Sequence, residues 1–188
     1  MRPYLRCAGI LAICAVIAAS LLMSFPDPGR AASAQQLNKS AHSILNKLYA
    51  KEPAARALGE KAKGILVFPS ITKGGFIVGG QYGEGVLLKQ GKAAGYYNSV
   101  AASYGLQAGL QRYGYVLFFM TEKALRYLDK SDGWELGSAP GIVIVDKGVA
   151  GGISTTTAQS DMYAFFFDQK GLMAGLGLQG TKITKIQK

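Results

Sequence analysis

Ser70-Ile71-Thr72-Lys73 has the spacing S-x-x-K, in which a serine hydroxyl attacks while a lysine one helical turn away takes its proton. Ser131-Asp132-Gly133 partly matches a second element of the same chemistry. That reaction needs the serine at a helix start. Here Pro69 and Gly74-Gly75 predict a loop between strands, and no Lys-Ser/Thr-Gly element follows. A serine triad or a zinc site would call on histidine, and His42 is the only one, set in a helical pattern with no Cys or carboxylate at ligand spacing. Gly175-Leu176-Gly177-Leu178-Gln179-Gly180 matches G-x-G-x-x-G, whose glycines let a pyrophosphate rest on a helix N-terminus. It lies in a strand pattern with no helix after it. Paired carboxylates could come from Asp129, Asp132, Glu135, Asp161 and Asp168, but these fall at predicted turns, where acids are solvated. The residues therefore predict a non-enzymatic protein with no metal and no cofactor. A serine hydrolase using Ser70 and Lys73 is the minor alternative.

Charge says more than any of these motifs. The 188 residues carry a formal charge of +10 with 49% hydrophobic residues, which excludes a disordered chain and points to an anionic partner surface. Arg2 and Arg6 precede the uncharged run Cys7 to Met23, and Ala32-Ser33-Ala34 has the small-x-small form of a processing site. This predicts a signal peptide over residues 1–34, cleaved near Ala34, with an uncleaved anchor as the alternative. Both cysteines, Cys7 and Cys14, fall inside it. An exported, strongly basic chain of this kind fits a membrane surface in the periplasm or cell envelope better than nucleic acid.

The elements that must position these residues follow in order. Leu37, Ala41, Ile44, Leu45 and Leu48 recur at spacings of three and four, predicting an amphipathic helix from Gln35 to Tyr49. Pro53 suits the first turn of a second helix, Ala54 to Ala62. Between Gln35 and Lys63, six basic residues (Lys39, Lys47, Lys51, Arg56, Lys61, Lys63) face only Glu52 and Glu60. From Gly64 to Lys89, short apolar runs at Ile65 to Phe68, Phe76 to Val78 and Val86 to Leu88 are interrupted by Gly79, Gly80, Gly83 and Gly85, a density that marks a tightly bent sheet.

Period two dominates the segment Ala94 to Gln111, with Tyr96, Val100, Tyr104 and Leu110 on one parity and Ser99, Ala101, Ser103 and Gln111 on the other. Its length predicts a bend or two strands with the break at Gly105. Tyr115 to Met120 is apolar on both faces and reads as a central strand. Thr121 can cap a helix through Leu128. Ile142 to Val145, Ile153 to Thr157, Met162 to Phe167 and Leu172 to Leu178 read as further strands, with turns at Asp146-Lys147-Gly148, Gln159-Ser160-Asp161 and Gln169-Lys170-Gly171. The expected fold is α+β: N-terminal helices on mainly antiparallel, glycine-rich twisted sheet layers, with one inserted helix. Residues 35–63 form the basic helical segment and 64–188 the β-rich part of the same domain.

Three stretches carry a family likeness: Gly64-Ile65-Leu66-Val67-Phe68; Gly79-Gly80-Gln81-Tyr82-Gly83-Glu84-Gly85-Val86-Leu87; and Lys170-Gly171-Leu172-Met173-Ala174-Gly175-Leu176-Gly177-Leu178-Gln179-Gly180. With Tyr96-Tyr97-Asn98 through Gly109, the region from about Lys61 to Ile186 resembles the SYLF-domain family of lipid-binding proteins, known in fungi as an actin-binding domain beside Src-homology-3 modules. The resemblance implies binding of anionic lipid headgroups, phosphoinositides in eukaryotic members, with the basic N-terminal helix implicated. A leader and no Src-homology-3 module set this chain with the bacterial secreted branch and speak against actin. Lys39, Lys47, Lys51, Arg56, Lys61, Lys63 and Lys73 are the expected lipid-binding residues, with an anionic phospholipid surface as partner. A structural or envelope-stress role without a lipid ligand is the alternative.

Overall fold

The computed structural model describes residues 32–75, 78–104, 109–129, 134–135, 142–145, 160–171 and 180–188. The chain divides into two compact units, Met1–Ala31 and Ala32–Lys188, and all described residues belong to the second. The leader, Ile153 to Thr157, Leu172 to Leu178, Ser131 to Gly133 and most of the G-x-G-x-x-G motif lie outside the described residues.

Helix α1 (Ala34–Lys51) starts where Ser33 caps it: the Gln36 N–H donates to Ser33 Oγ at 3.2 Å, and the Ser33 N–H donates to Gln36 Oε1 at 3.1 Å. This reciprocal pair satisfies two of the amide donors a helix start leaves open. Leu37, Ala41, Leu45 and Leu48 are buried, the stripe the spacing predicts, with Ile44 half-buried beside them. Glu52 ends α1 and begins helix α2 (Pro53–Lys61). Proline fits there because an N–H at the first helical position would have no partner anyway. Ala54, Ala55 and Leu58 point into the same core.

Four long strands follow: β1 (Gly64–Gly75), β2 (Val78–Lys89), β3 (Lys92–Tyr104) and β4 (Gly109–Phe119). Helix α3 (Glu122–Asp129), β5 (Trp134–Glu135), β6 (Ile142–Val145), β7 (Met162–Gly171) and β8 (Lys182–Ile186) complete the order. All eight strands belong to one sheet, ordered β5-β8-β3-β2-β1-β4-β7-β6. Every pairing is antiparallel except β6 with β7, which is parallel. The fold is α+β, with α3 inserted between strands.

Two apolar clusters sandwich the sheet. On one face Val67, Val86, Leu88, Val116, Phe118, Tyr163 and Phe165 pack against α1 and α2. Asn38 adds a bond from Nδ2 to Tyr96 Oη at 3.1 Å that ties α1 to β3. On the other face Leu66, Phe68, Ile71, Leu87, Tyr97, Tyr113, Tyr115 and Leu117 pack with Leu125 and Leu128 of α3. That second face is concave. Tyr115 Oη donates to Ser99 Oγ at 2.8 Å, although β4 and β3 are separated by β1 and β2. Three strand spacings of about 4.8 Å cannot be crossed by one tyrosine on a flat sheet, so the sheet curls here.

The curl has a local cause. Both pairings of β1 slip by one residue around Pro69-Ser70, a bulge that brings Ile71 back to the face of Leu66 and Phe68. The strands on either side give way with glycine. A Cβ at Gly85 would sit 2.7 Å from the Val67 carbonyl oxygen and 2.7 Å from the Phe68 ring, and one at Gly83 would sit 2.5 Å from the Ser70 carbonyl oxygen. On the β4 side, a Cβ at Gly114 would come within 2.9 Å of the Phe68 carbonyl oxygen.

This corrects three expectations. Ser70 to Lys73 is not a loop, because the bulge absorbs Pro69 and β1 continues to Gly75. The glycines from Gly79 to Gly85 do not interrupt a strand but let β2 run past the bulge. Gln169-Lys170-Gly171 is no turn either: Asp168, at φ 50°, opens a second bulge opposite Tyr113, and β7 continues to Gly171. Asp accepts that left-handed conformation more readily than most residues. Gly105, the expected break, lies outside the described residues. Thr121 caps α3 as its position predicts, accepting from the Ala124 N–H at 3.2 Å and donating to Asp161 Oδ1 at 3.0 Å.

Candidate functional site

The α1–α2 layer has one apolar side and one charged side, and the core consumes the apolar side. Lys39, Lys47, Lys51, Arg56, Lys61 and Lys63 are all exposed, as are His42 and Glu60. Lys47 and Lys51, four residues apart, stand on the same flank of α1, while Lys39 lies on the side away from the core. Lys63 is fixed at the exit from α2, where its N–H donates to the Phe119 carbonyl at 2.8 Å. The two helices are locked together by Tyr49. Its ring stacks with Phe118, centroids 6.4 Å apart, and covers Gly59, where a Cβ would collide with the phenol oxygen. Burial, with Glu60 nearby, pushes the Tyr49 phenol up to about 12 against the opposing effect of Arg56.

Lys73 is not part of this group. It is half-buried on β1, opposite Gln81 of β2 and Gln111 of β4. Being two residues beyond Ile71, it shares the concave face, away from α1 and α2. Ser70 is exposed on the other parity. On a helix, residues three apart share a side; in this strand Ser70 and Lys73 point to opposite faces, so the geometry gives the S-x-x-K pair no means of proton transfer. Asp161 is engaged in capping α3, and Asp168 forms the β7 bulge. No group of three His, Cys, Asp or Glu side chains among the described residues could hold a metal ion. No helix among them is long and apolar enough to cross a membrane.

Two features escaped the sequence reading. The first is a buried polar chain on the concave face: Tyr113 Oη donates to Gln81 Oε1 at 2.7 Å, and Gln81 Nε2 donates to Thr181 Oγ1 at 3.1 Å. Burial drives the Tyr113 phenol up to about 12, its bond to Gln81 acting in the other sense, and drives Tyr115 higher still. The second is a reversal of the usual alternation where β3 and β4 extend past the helices. Ser99 and Gln111 are buried at 0% and 3% exposure, whereas Val100 and Leu110 are 42% and 61% exposed. The period-two pattern separated these two sets, but alternation alone cannot say which set faces inward once the sheet curls around polar partners.

With this geometry in view, residues 100–188 match the family model Ysc84, described as Las17-binding protein actin regulator. This is the model of the SYLF domains, the family the sequence resembles, and it covers just under half of the chain. No curated protein matches the chain. The SYLF match begins in β3 and runs to the C-terminus, so it includes Val100, Leu110 and the strands from β4 to β8. The basic helices and the β1–β2 hairpin precede it. SYLF domains are binding modules, associated with lipid- or actin-related binding.

Proposed function

We propose that this SYLF domain binds anionic lipid headgroups at a membrane surface without doing chemistry on them. The observation that carries this reading is the α1–α2 layer: six exposed basic side chains against two acidic ones, on helices whose apolar side is spent in the core. Such a layer attracts without inserting. Each Lys or Arg near an anionic leaflet contributes on the order of 1 kcal/mol, so the six together hold a domain reversibly. Phosphatidylinositol-type headgroups are the ligands the family resemblance suggests. In an exported envelope protein, other anionic phospholipids fill the same role, because the helices offer charge rather than a shaped pocket. Lys73, on the other face of the sheet, is left out of the contact set.

The test is a vesicle panel that varies only the headgroup, with Lys39, Lys47, Lys51 and Arg56 changed together to Gln. Binding to anionic vesicles should fall steeply in the variant and, for the unaltered chain, as salt shortens the screening length from about 10 Å at 0.1 M. Circular dichroism should be unchanged, since all four side chains are exposed. Binding that is equally tight to neutral vesicles, or that survives both treatments, removes this reading. The family description favours a second reading, binding to an actin-regulatory partner. Co-sedimentation with actin filaments in the absence of lipid would support it.

A further inference from the structure

We propose that the bare end of the helix-bearing sheet face is a second membrane contact, where Tyr82, Val100 and Leu110 enter the interfacial zone of an anionic bilayer and Arg112 and Lys182 meet its phosphates. The proposal rests on the lipid-surface reading above and names the part of the domain that touches lipid directly.

The register places these residues together. Val100 of β3 pairs with Tyr82 of β2, Tyr82 with Thr72 of β1, and Thr72 with Arg112 of β4; Lys182 of β8 pairs with Val100 at the other end of the row. The next row runs Ala102, Gly80, Gly74, Leu110. Directly opposed residues share a face, and this is the face that α1 and α2 cover farther along the strands. Tyr82 is 51% exposed, beside the exposed Val100 and Leu110 already described, and Ala102, Arg112 and Lys182 are exposed with them. Leu110 lies flat over Gly74, its Cδ1 3.3 Å from where a Cβ would stand, and Gly80 leaves the middle of the row open. The result is a low apolar floor with an aromatic and two aliphatic side chains standing on it, flanked by Arg112 on one side and by Lys182, with Glu135 in register beyond it, on the other.

A face that turns its apolar parity outward while burying Ser99 and Gln111 is not explained by packing within the domain, and exposed apolar side chains grouped in this way mark an interaction surface. Three observations select a bilayer as the occupant. The cations at the ends of the row match phosphates, and Tyr is a side chain that settles where one end is apolar and the other wet. Two acids adjoin this row among the described residues: Glu84 is neutralised by Lys188 Nζ at 2.7 Å and accepts from Tyr82 Oη at 3.0 Å, and Glu135 of β5 is in register with Lys182. The same Lys188 Nζ donates to the Ala32 carbonyl at 2.8 Å, which holds that cation beside the row.

The experiment uses the full chain with Leu110→Trp, read against the unaltered chain to subtract Trp134, and with Lys123→Trp on α3 as the control on the opposite face. Phosphatidylglycerol in phosphatidylcholine vesicles is compared with phosphatidylcholine alone, and flotation is measured alongside tryptophan fluorescence. The Leu110→Trp signal should shift to the blue on anionic vesicles and be quenched by shallowly brominated acyl chains, while the control stays in water. Adding Arg112→Gln and Lys182→Gln should weaken the half-maximal lipid requirement by about fivefold for each charge removed. Flotation that prefers anionic vesicles while both tryptophans stay in water overturns this contact and leaves the helical one standing. Flotation indifferent to headgroup charge removes the lipid reading and this contact with it. A blue shift that grows with protein concentration without lipid identifies the face as a self-association surface and overturns the proposal.

Discussion

Replacing Gly85 with Ala, beside Gly80→Ala as its partner, separates glycines that the fold requires from one it does not. Both lie in β2, both lose the same backbone freedom, and neither has a positive φ, so the entropic gain of roughly 0.5–1 kcal/mol for removing a strand glycine is common to the two. What differs is the space. The Gly80 Cβ would meet only the Ala101 carbonyl oxygen at 3.6 Å, an ordinary contact. The Gly85 Cβ would be 2.7 Å from the Val67 carbonyl and 2.7 Å from the ring of Phe68, which is fully buried with its centroid 4.7 Å from that of Tyr115. Neither obstacle can retreat, because one is bulge backbone and the other is clamped by a second ring. Overpacking of this kind costs about 1–3 kcal/mol. Urea unfolding should therefore place Gly85→Ala below the unaltered protein and Gly80→Ala at or above it, with melting temperatures parting by about 2–4 °C per kcal/mol. Vesicle binding should be unchanged in Gly85→Ala, which lies on the concave face. Equal midpoints would refute the assignment of Gly85 to close packing, and an unchanged midpoint with lost vesicle binding would make the glycine run part of a ligand site.

Tyr113 and Tyr115 are held protonated by burial, and a folded-state phenol raised above its unfolded value near 10 gives stability that is full below that pH and is lost as pH rises toward the folded value. Unfolding should become progressively easier above about pH 10, with part of the tyrosinate absorbance appearing only as the fold is lost; complete titration with native circular dichroism would contradict the buried assignment. A chain starting at Gln35 lacks the Ser33 cap and the Ala32 carbonyl that accepts from Lys188, so it should be less stable than one starting at Ala32 by about 1 kcal/mol. Intact mass of the protein recovered from cells then tells which end they produce. Asp161→Ala, removing the acceptor for Thr121 Oγ1, should loosen α3 and lower the midpoint without altering vesicle binding.

Much of the scaffold was readable because local signals agreed with one another. The stripe Leu37, Ala41, Leu45, Leu48, the proline opening α2 and the threonine capping α3 each depend on neighbours within a turn or two. The failures share a cause in long-range geometry. Pro69 and the β2 glycines look like punctuation until β1 is seen to bulge against both neighbours at once. The strand β8 was not anticipated, since Lys182-Ile183-Thr184-Lys185-Ile186 has little apolar character of its own and is held by pairing with β3 and β5. The parallel partner β6 was readable as a strand, but its direction depends on a connection that local pattern does not determine. For the site, exposure of the six helical cations follows from the amphipathic period. The separation of Lys73 from them does not, because the residue's face was set by the one-residue slip at Pro69-Ser70.

That slip links the fold to the way the domain presents its surface. By returning Ile71 to the face of Phe68, it keeps the concave side lined with Tyr113, Tyr115 and Ile71 and closes it with the Gln81 and Ser99 hydrogen bonds. Tyr82, Val100 and Arg112, in the neighbouring row, reach the convex side beyond α1 and α2 through the unbroken alternation of β2, β3 and β4. A polar interior and an apolar exterior at one end of the sheet are thus two sides of one alternation. A straight β1 would reverse the parity of everything beyond Ser70, moving Lys73 toward the cationic helices and Thr72 into the core. The bulge and the glycines that admit it therefore keep β1 in phase with β2 and β4, whose own alternation decides which residues the domain can offer a membrane.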